Sequence, residues 1–195
     1  MQILDFDGTI ILENSSRMLE LETMKKLPNS LQNLIYPIFF GKMKVFFNKV
    51  WGFISIVFFS NRDFRLFIFL VITRKYFLNS KIDIYKTVSE KITFRPDILK
   101  TINNDTIILS NGISDLIKYI LHSHGISVKV IASNIDKFKI SSLNNFSYKF
   151  SVLNSFKNFY YITDDILEAK YICKRYKWKI RFTQKDSLYY INKFH

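Results

Sequence analysis

The sequence predicts an α/β fold, a parallel sheet doubly wound by helices, with a block of helices inserted near its start. Three observations predict it. The chain opens on a short apolar strand, Met1-Gln2-Ile3-Leu4, that runs directly into two aspartates. From Arg95 onward, short apolar runs alternate with stretches of helical periodicity, the order expected of parallel strands joined by crossover helices. Between the two, from Asn14 to about Lys91, that rhythm gives way to aromatic and aliphatic stretches punctuated by Lys and Arg, suited to several helices.

Each element follows from local chemistry. Residues 1–13 supply the first strand and a short hairpin-like continuation through Ile10-Ile11-Leu12. In the helical block, Pro28 and Pro37 interrupt the pattern early, because proline lacks the N–H that a helix interior needs. Pro96 suits the first turn of a short helix. Thr106 to Ser110 is a short buried strand; Asn111 and Gly112 open a helix in which Ile113, Leu116, Ile117, Ile120 and Leu121 recur until Gly125 stops it. Val128 to Ala132 makes the next strand. Asn158 to Thr163 makes another, ending at Asp164-Asp165, after which Ile166, Ala169 and Cys173 line one helix face. Lys179 to Thr183 is the last strand. The division is therefore a core of residues 1–13 and 92–195 and a helical cap of residues 14–91.

Composition narrows the setting. A chain of 195 residues holds one α/β domain with an insertion and leaves no room for two unrelated large ones. Lys and Arg number 29 against 16 Asp and Glu, a net charge of +13 that favours anionic partners: phosphorylated metabolites, nucleic acid or acidic lipid. The single cysteine, Cys173, excludes an intramolecular disulfide and fits a reducing, cytoplasmic setting. The chain begins inside the first strand, so no signal peptide is expected. The stretch Leu27–Gly41, free of charge, is too short and too polar to cross a bilayer, which takes about 20 apolar residues. None of the five glycines sits in a nucleotide-binding loop pattern.

The chemistry concentrates at strand ends, where open α/β sheets bind their ligands. Asp5 and Asp7 lie on one side of the first strand and converge where the chain leaves its pleat; Gly8 permits the tight turn that follows. At the second strand end, a phosphate could meet the Ser110 hydroxyl and the free N–H groups of a helix opened by Asn111 and Gly112, although Ser and Asn there also suit a plain helix cap. At the fourth, Asp164 and Glu168 are four residues apart, which on a helix start gives one face with the hard oxygen ligands that magnesium requires. Asp165 serves equally well as a ligand or as an acidic helix cap.

Asp5-Phe6-Asp7-Gly8-Thr9, Leu109-Ser110-Asn111-Gly112 and Thr163-Asp164-Asp165-Ile166-Leu167-Glu168, in that order, resemble the first, second and fourth motifs of the haloacid dehalogenase (HAD) superfamily. The helical insertion between the first and second motifs resembles the phosphoserine-phosphatase-like branch. In the fourth motif Thr163 replaces the usual glycine and Glu168 the usual aspartate. The resemblance implies a Rossmann-like core in which Asp5 is the nucleophile, Asp7 the general acid and base, and Ser110 a hydrogen-bond donor to the transferring phosphoryl group. It also implies a lysine that neutralises nucleophile and phosphate. Lys149, one short helix before the Asp164 strand, is the first choice, with Lys137 and Lys139 as alternatives. Magnesium would be held by Asp5, the backbone carbonyl of Asp7 and Asp164, with Asp165 or Glu168 completing the set.

The activity so implied is magnesium-dependent hydrolysis of a phosphate monoester through an aspartyl-phosphate, on a small phosphorylated metabolite. A second reading is a HAD-fold module without turnover that binds nucleic acid or an acidic membrane surface; a lipid or polynucleotide phosphatase lies between. The cap crowds Phe39, Phe40, Phe46, Phe47, Phe53, Phe58, Phe59, Phe64, Phe67 and Phe69 among Lys42, Lys44, Lys49, Arg62, Arg65, Arg74 and Lys75, which suits either an aromatic bundle core with a solvated basic face or a lipid-facing surface. Aromatics interleaved with basic residues from Lys170 to Lys179 fit a helix exterior or a single-stranded nucleic-acid contact.

Overall fold

The computed structural model describes residues 1–41, 64–135, 146–176, 179–183 and 187–193. Six strands form one sheet: β1 (Gln2–Leu4), β2 (Thr106–Ile113), β3 (Lys129–Ser133), β4 (Phe159–Thr163), β5 (Lys179–Thr183) and β6 (Leu188–Lys193), in the order β3-β2-β1-β4-β6-β5. The four strands β3, β2, β1 and β4 run parallel. β1 sits inside that set, with Ile3 opposite Ile107 on one side and Tyr161 on the other, and Leu4 opposite Ile108 and Ile162. A strand buried on both faces needs apolar residues at consecutive positions, which is why Ile3-Leu4, Ile107-Ile108-Leu109 and Tyr161-Ile162 do not alternate with polar ones.

The described helices are α1 (Ser15–Lys25), α2 (Asn29–Phe39), α3 (Phe64–Ile72), α4 (Arg74–Asn79), α5 (Lys81–Glu90), α6 (Pro96–Leu99), α7 (Ser114–Ser123), α8 (Phe146–Ser155) and α9 (Ile166–Tyr176). Pro96 occupies the first turn of α6, and Gly125, at φ +72°, turns the chain after α7. Pro37 lies inside α2, which ends two residues later at Phe39. No helix among the described residues is long and apolar enough to cross a membrane.

Apolar side chains pack on both faces of the sheet. One cluster gathers Ile3, Ile107, Leu109, Phe159 and Tyr161 against Phe150 and Leu153 of α8 and Ala169 and Ile172 of α9. The other joins Leu4, Ile108 and Ile162 to Leu116, Ile117 and Ile120 of α7 and continues without a break into Leu19, Phe69, Ile84 and Val88 of the inserted helices. The insertion thus packs onto the sheet face that α7 covers. Its two ends meet: Leu12 N–H donates to the Thr93 carbonyl at 3.0 Å and Arg95 N–H to that of Ile10 at 2.9 Å.

An ion-pair fork fastens the seam between α1 and α5. Glu22 Oε1 accepts from Lys25 at 2.7 Å and from Lys91, just past α5, at 2.6 Å. Burial pushes this carboxyl up, but the hydrogen bonds and charges of both lysines outweigh it and hold Glu22 below its ordinary value. A carboxylate depressed in the folded state adds stability that is present above its unfolded value, 4.5, and lost as pH falls through the folded one. Thermal melting of wild type and Glu22→Gln between pH 7 and pH 3 checks this. The variant is expected to melt lower at neutral pH and to lose less on acidification; parallel curves would remove Glu22 from the acid response.

Four local expectations are corrected. β2 does not end at Ser110: it stays paired with β3 through Ile113 opposite Ser133, after a register shift following Leu109, and α7 begins at Ser114. Asn111 and Gly112 therefore extend the strand and do not open the helix, and the Gly112 N–H is taken by Ser110 Oγ at 3.0 Å. β5 is not the last strand. β6 follows it and inserts between β4 and β5, antiparallel to both, so the sheet is parallel only as far as β4. α9 starts at Ile166, which is 41% exposed; the face it buries carries Ala169 and Ile172, with Cys173 packed partly against it.

Candidate active site

The turn after β1 carries the site. Asp5 N–H is still part of the sheet, donating to the Ile162 carbonyl of β4 at 2.9 Å, and Asp5 Oδ1 accepts from the Phe6 N–H at 2.8 Å. Gly8, at φ +73°, takes the left-handed conformation that reverses the chain, and Thr9, Ile10 and Ile11 close back onto the Phe6 carbonyl. The Gly8 carbonyl accepts from Arg95 Nε at 3.1 Å, tying the turn to the point where the insertion returns.

Asp7 faces the start of α1. Its Oδ1 accepts from the Ser15 N–H at 2.9 Å, so a carboxylate lies at a helix N-terminus, where the peptide dipoles favour negative charge. Asn14 caps the same helix, its side chain accepting from Arg17 N–H at 2.8 Å. Gly112 stands on the other side of Asp7. A methyl group built there would lie 3.9 Å from Asp7 Oδ2 and 3.3 Å from Ser110 Oγ, which brings Ser110, Gly112 and Asp7 together. The Asn111 carbonyl accepts from Ser133 Oγ at 2.7 Å. Asn111 Oδ1 and Ser15 Oγ are buried and have no hydrogen-bond partner among the described residues.

Asp164, 159 positions after Asp5, arrives at the same turn because β4 is the neighbour of β1. Its carboxylate packs over Gly8 so closely that any β-carbon there would overlap it, at 2.1 Å from Oδ2. Thr9 fixes it twice: Thr9 Oγ1 donates to Asp164 Oδ1 at 3.3 Å and accepts from the Asp164 N–H at 3.0 Å. Burial pushes the Asp164 carboxyl up, and the negative charge of Asp5 pushes it further in the same direction. Two hard carboxylates that repel each other at a strand end form a donor set suited to a small divalent cation. Among the described residues no group of three or more acidic, His or Cys side chains is placed to hold a metal ion by itself, so the remaining oxygens for such an ion would come from backbone, water or substrate, as magnesium commonly accepts.

Lys149 reaches the site from α8. It is 1% exposed, and its ammonium lies 3.0 Å from Asp5 Oδ2, 3.1 Å from both oxygens of Glu168 and 3.0 Å from the hydroxyl of Tyr161. Burial alone would depress this amine; the charges of Asp5 and Glu168 raise it well above its ordinary value, and it stays protonated. Lys137 and Lys139 lie outside the described residues.

Asp165 and Glu168 occupy other positions than Asp164. Asp165 Oδ1 accepts from the N–H groups of Leu167 at 2.8 Å and Glu168 at 3.1 Å and so caps α9. Because the helix begins at Ile166, the four-residue spacing does not put Asp164 and Glu168 on one helix face: Asp164 belongs to the loop before it, and Glu168 turns toward Lys149. Glu168 is 2% exposed, and burial holds its carboxyl above the usual range, against the pull of the Lys149 charge. Tyr161 completes the cluster by donating its hydroxyl proton to Glu168 Oε1. Burial, then the charges of Asp5 and Glu168, hold that phenol well above its usual value, so it remains a neutral donor. Tyr161, Thr9 and Arg95 were given no site role by sequence. A tyrosine in a strand reads as an ordinary β-former, and its only signal is that it points to the same side as Thr163, two residues on.

The cap phenylalanines Phe46, Phe47, Phe53, Phe58 and Phe59, with Lys42, Lys44, Lys49 and Arg62, lie outside the described residues.

A HAD family hydrolase from Salmonella enterica subsp. enterica serovar Typhi is a similar solved structure, at 13% identity and a TM-score of 0.45 over 79% of this chain. The chain spans about half of that protein, 49% of its length. No family model and no curated protein matches.

Proposed function

We propose that the chain is a HAD-type phosphoric monoester hydrolase that works through an aspartyl-phosphate. The observation that carries this reading is the convergence of Asp5, Asp7, Asp164 and Lys149, from positions spread over the whole sequence, on one turn at the carboxyl ends of adjacent strands. Metal-free packing has little use for this arrangement: Asp5 and Asp164 raise each other's cost, and the ammonium of Lys149 is shared with a second acid.

In the first step a carboxylate oxygen of Asp5 attacks phosphorus as the bond from phosphorus to the ester oxygen breaks. Asp7 gives its proton to the departing alkoxide. In the second step Asp7 takes a proton from water, whose oxygen attacks the phosphorus of the aspartyl-phosphate and releases phosphate with Asp5 restored. Lys149 holds Asp5 in place and balances charge on the phosphoryl oxygens, with Ser110 beside Asp7 to donate a hydrogen bond. Asp5, Asp164 and the backbone carbonyl of Asp7 would hold magnesium, whose charge would offset the negative charge that nucleophile and phosphate bring together. In this reading Asp165 and Glu168 are not ligands but the helix cap and the lysine's anchor.

The net charge of +13 suits anionic esters, and a small phosphorylated metabolite is the substrate class we favour. The test is phosphate release, with and without magnesium, from p-nitrophenyl phosphate, small phosphorylated metabolites, phospholipids and end-phosphorylated oligonucleotides. Release confined to the small esters is expected. Preference for lipid or oligonucleotide would reassign the substrate, and no release from any ester by folded protein would overturn the hydrolase reading.

A further inference from the structure

Lys149 has three N–H donors, and three side chains take them. Asp5 Oδ2 is 3.0 Å away, the two oxygens of Glu168 are each 3.1 Å away, and the Tyr161 hydroxyl is 3.0 Å away. These partners come from the turn after β1, from α9 and from β4, while the lysine itself rides on α8. The Tyr161 oxygen accepts from the ammonium, so its own proton goes to Glu168 Oε1. Tyr161 thereby touches both the acid and the base of this ion pair without adding charge to it.

The hydroxyl is surplus to packing. Tyr161 is fully buried among Phe150, Phe159 and Leu153, where phenylalanine would fill the strand position equally well. A buried hydroxyl is costly unless it is hydrogen-bonded, and here both of its bonds go into the lysine cluster. The charge pattern explains why a neutral donor serves. Asp5 and Glu168 share one ammonium, and a second cation at Tyr161 would compete for Asp5. A phenol steadies Glu168 as the anchor and leaves Lys149 as the one cation facing Asp5 among the described residues in contact with it.

We infer that Tyr161 is a positioning residue of this site, which locks Glu168 and Lys149 so that the ammonium stays against Asp5 while a phosphoryl group is transferred. The inference rests on the hydrolase reading above. A long lysine side chain placed by two buried partners keeps its charge where it develops value in the transition state, so the loss of one partner appears in turnover more than in substrate capture.

The experiment is steady-state hydrolysis of p-nitrophenyl phosphate at saturating magnesium by wild type, Tyr161→Phe, Glu168→Gln and the double variant, each normalised to folded protein by circular dichroism. Tyr161→Phe is expected to lower kcat roughly ten- to a hundredfold with KM within about twofold. Because Tyr161 acts through the same lysine as Glu168, the double variant is expected to be no slower than the slower single one. If Tyr161→Phe does not fold, Glu168→Gln carries the test and is expected to give the same loss of kcat at unchanged KM. Wild-type kcat in a folded Tyr161→Phe, a loss confined to KM, or losses that multiply in the double variant would each overturn the assignment while leaving the hydrolase reading standing. A wild-type protein silent on every ester would overturn that reading, and this inference with it.

Discussion

Asp5→Asn is expected to reduce phosphate release by roughly four orders of magnitude or more, the scale seen when a nucleophile is removed from a site whose parts act as a unit. The fold is expected to survive. An asparagine keeps the shape and one acceptor oxygen, which can still serve either Lys149 or the Phe6 N–H, now bonded to Oδ2 and Oδ1 of the carboxylate respectively. What it removes is one of two negative charges around a single buried ammonium, leaving Lys149 paired with Glu168 and hydrogen-bonded to Tyr161. Removal of the lysine would be a poorer test of chemistry. Lys149→Met would strand Glu168, 2% exposed, opposite Asp5, and breaking a buried pair costs about 3–5 kcal/mol. Such a protein could lose activity by unfolding. Phosphate release from the best ester of the panel, with circular dichroism and melting on the same samples, separates the two effects. Turnover retained by a folded Asp5→Asn protein would remove Asp5 as the nucleophile.

The parts of the site that sequence made visible are those set by local chemistry. Asp5, Asp7 and Gly8 are neighbours, so their spacing alone announces a strand end that turns sharply with two acids on it. Asp164 was legible for the same reason, as the acid that follows an apolar strand. Lys149 was one lysine among three, because what marks it is burial, and burial depends on α8 covering one sheet face. Asp165 and Glu168 could not be sorted from Asp164 without knowing that α9 starts at Ile166, a one-residue question that decides whether a carboxylate caps, anchors or faces the turn. Ser110 to Gly112 misled in a related way: residues favoured at helix starts continued a strand, because the pairing of Ile113 with Ser133 and the bond from Gly112 N–H to Ser110 Oγ use the groups a helix start would leave free. β6 was missed because Tyr189-Tyr190-Ile191-Asn192 gives no strict alternation, and its insertion between β4 and β5 is a matter of pairing that local pattern does not specify. Sequence likewise suggests helices after the first strand but gives no sign that their Leu19, Ile84 and Val88 share an apolar cluster with Leu4 of the sheet.

The sharpest steric test of the site is a pair of alanine substitutions at glycines with nearly the same backbone angle. Gly8 has φ +73° and Gly125 has φ +72°, so a side chain at either meets the same left-handed strain, on the order of 1–3 kcal/mol. The surroundings differ completely. At Gly125 a β-carbon meets nothing within 4 Å; at Gly8 it would fall 2.1 Å from Asp164 Oδ2 and 2.4 Å from its Cγ. Gly125→Ala is therefore expected to lower the melting temperature by a few degrees and to leave kcat/KM unchanged. Gly8→Ala is expected to melt at least as low and, in addition, to lose roughly a hundredfold or more in kcat/KM, because the Asp164 carboxylate must leave its place over the turn and a displacement of about 1 Å at a reacting centre costs that much. Thr9 resists the movement, since its hydroxyl accepts from the Asp164 N–H and donates to the Asp164 carboxylate, so a side-chain rotation that relieves the clash breaks the bond to Oδ1. Activity measured at increasing magnesium adds a second readout: if Asp164 helps to hold the ion, the alanine variant will need more magnesium to reach half its maximal rate, and Gly125→Ala will not. Equal magnesium requirements and equal activity in the two variants would mean that the close approach of Asp164 to Gly8 serves packing alone.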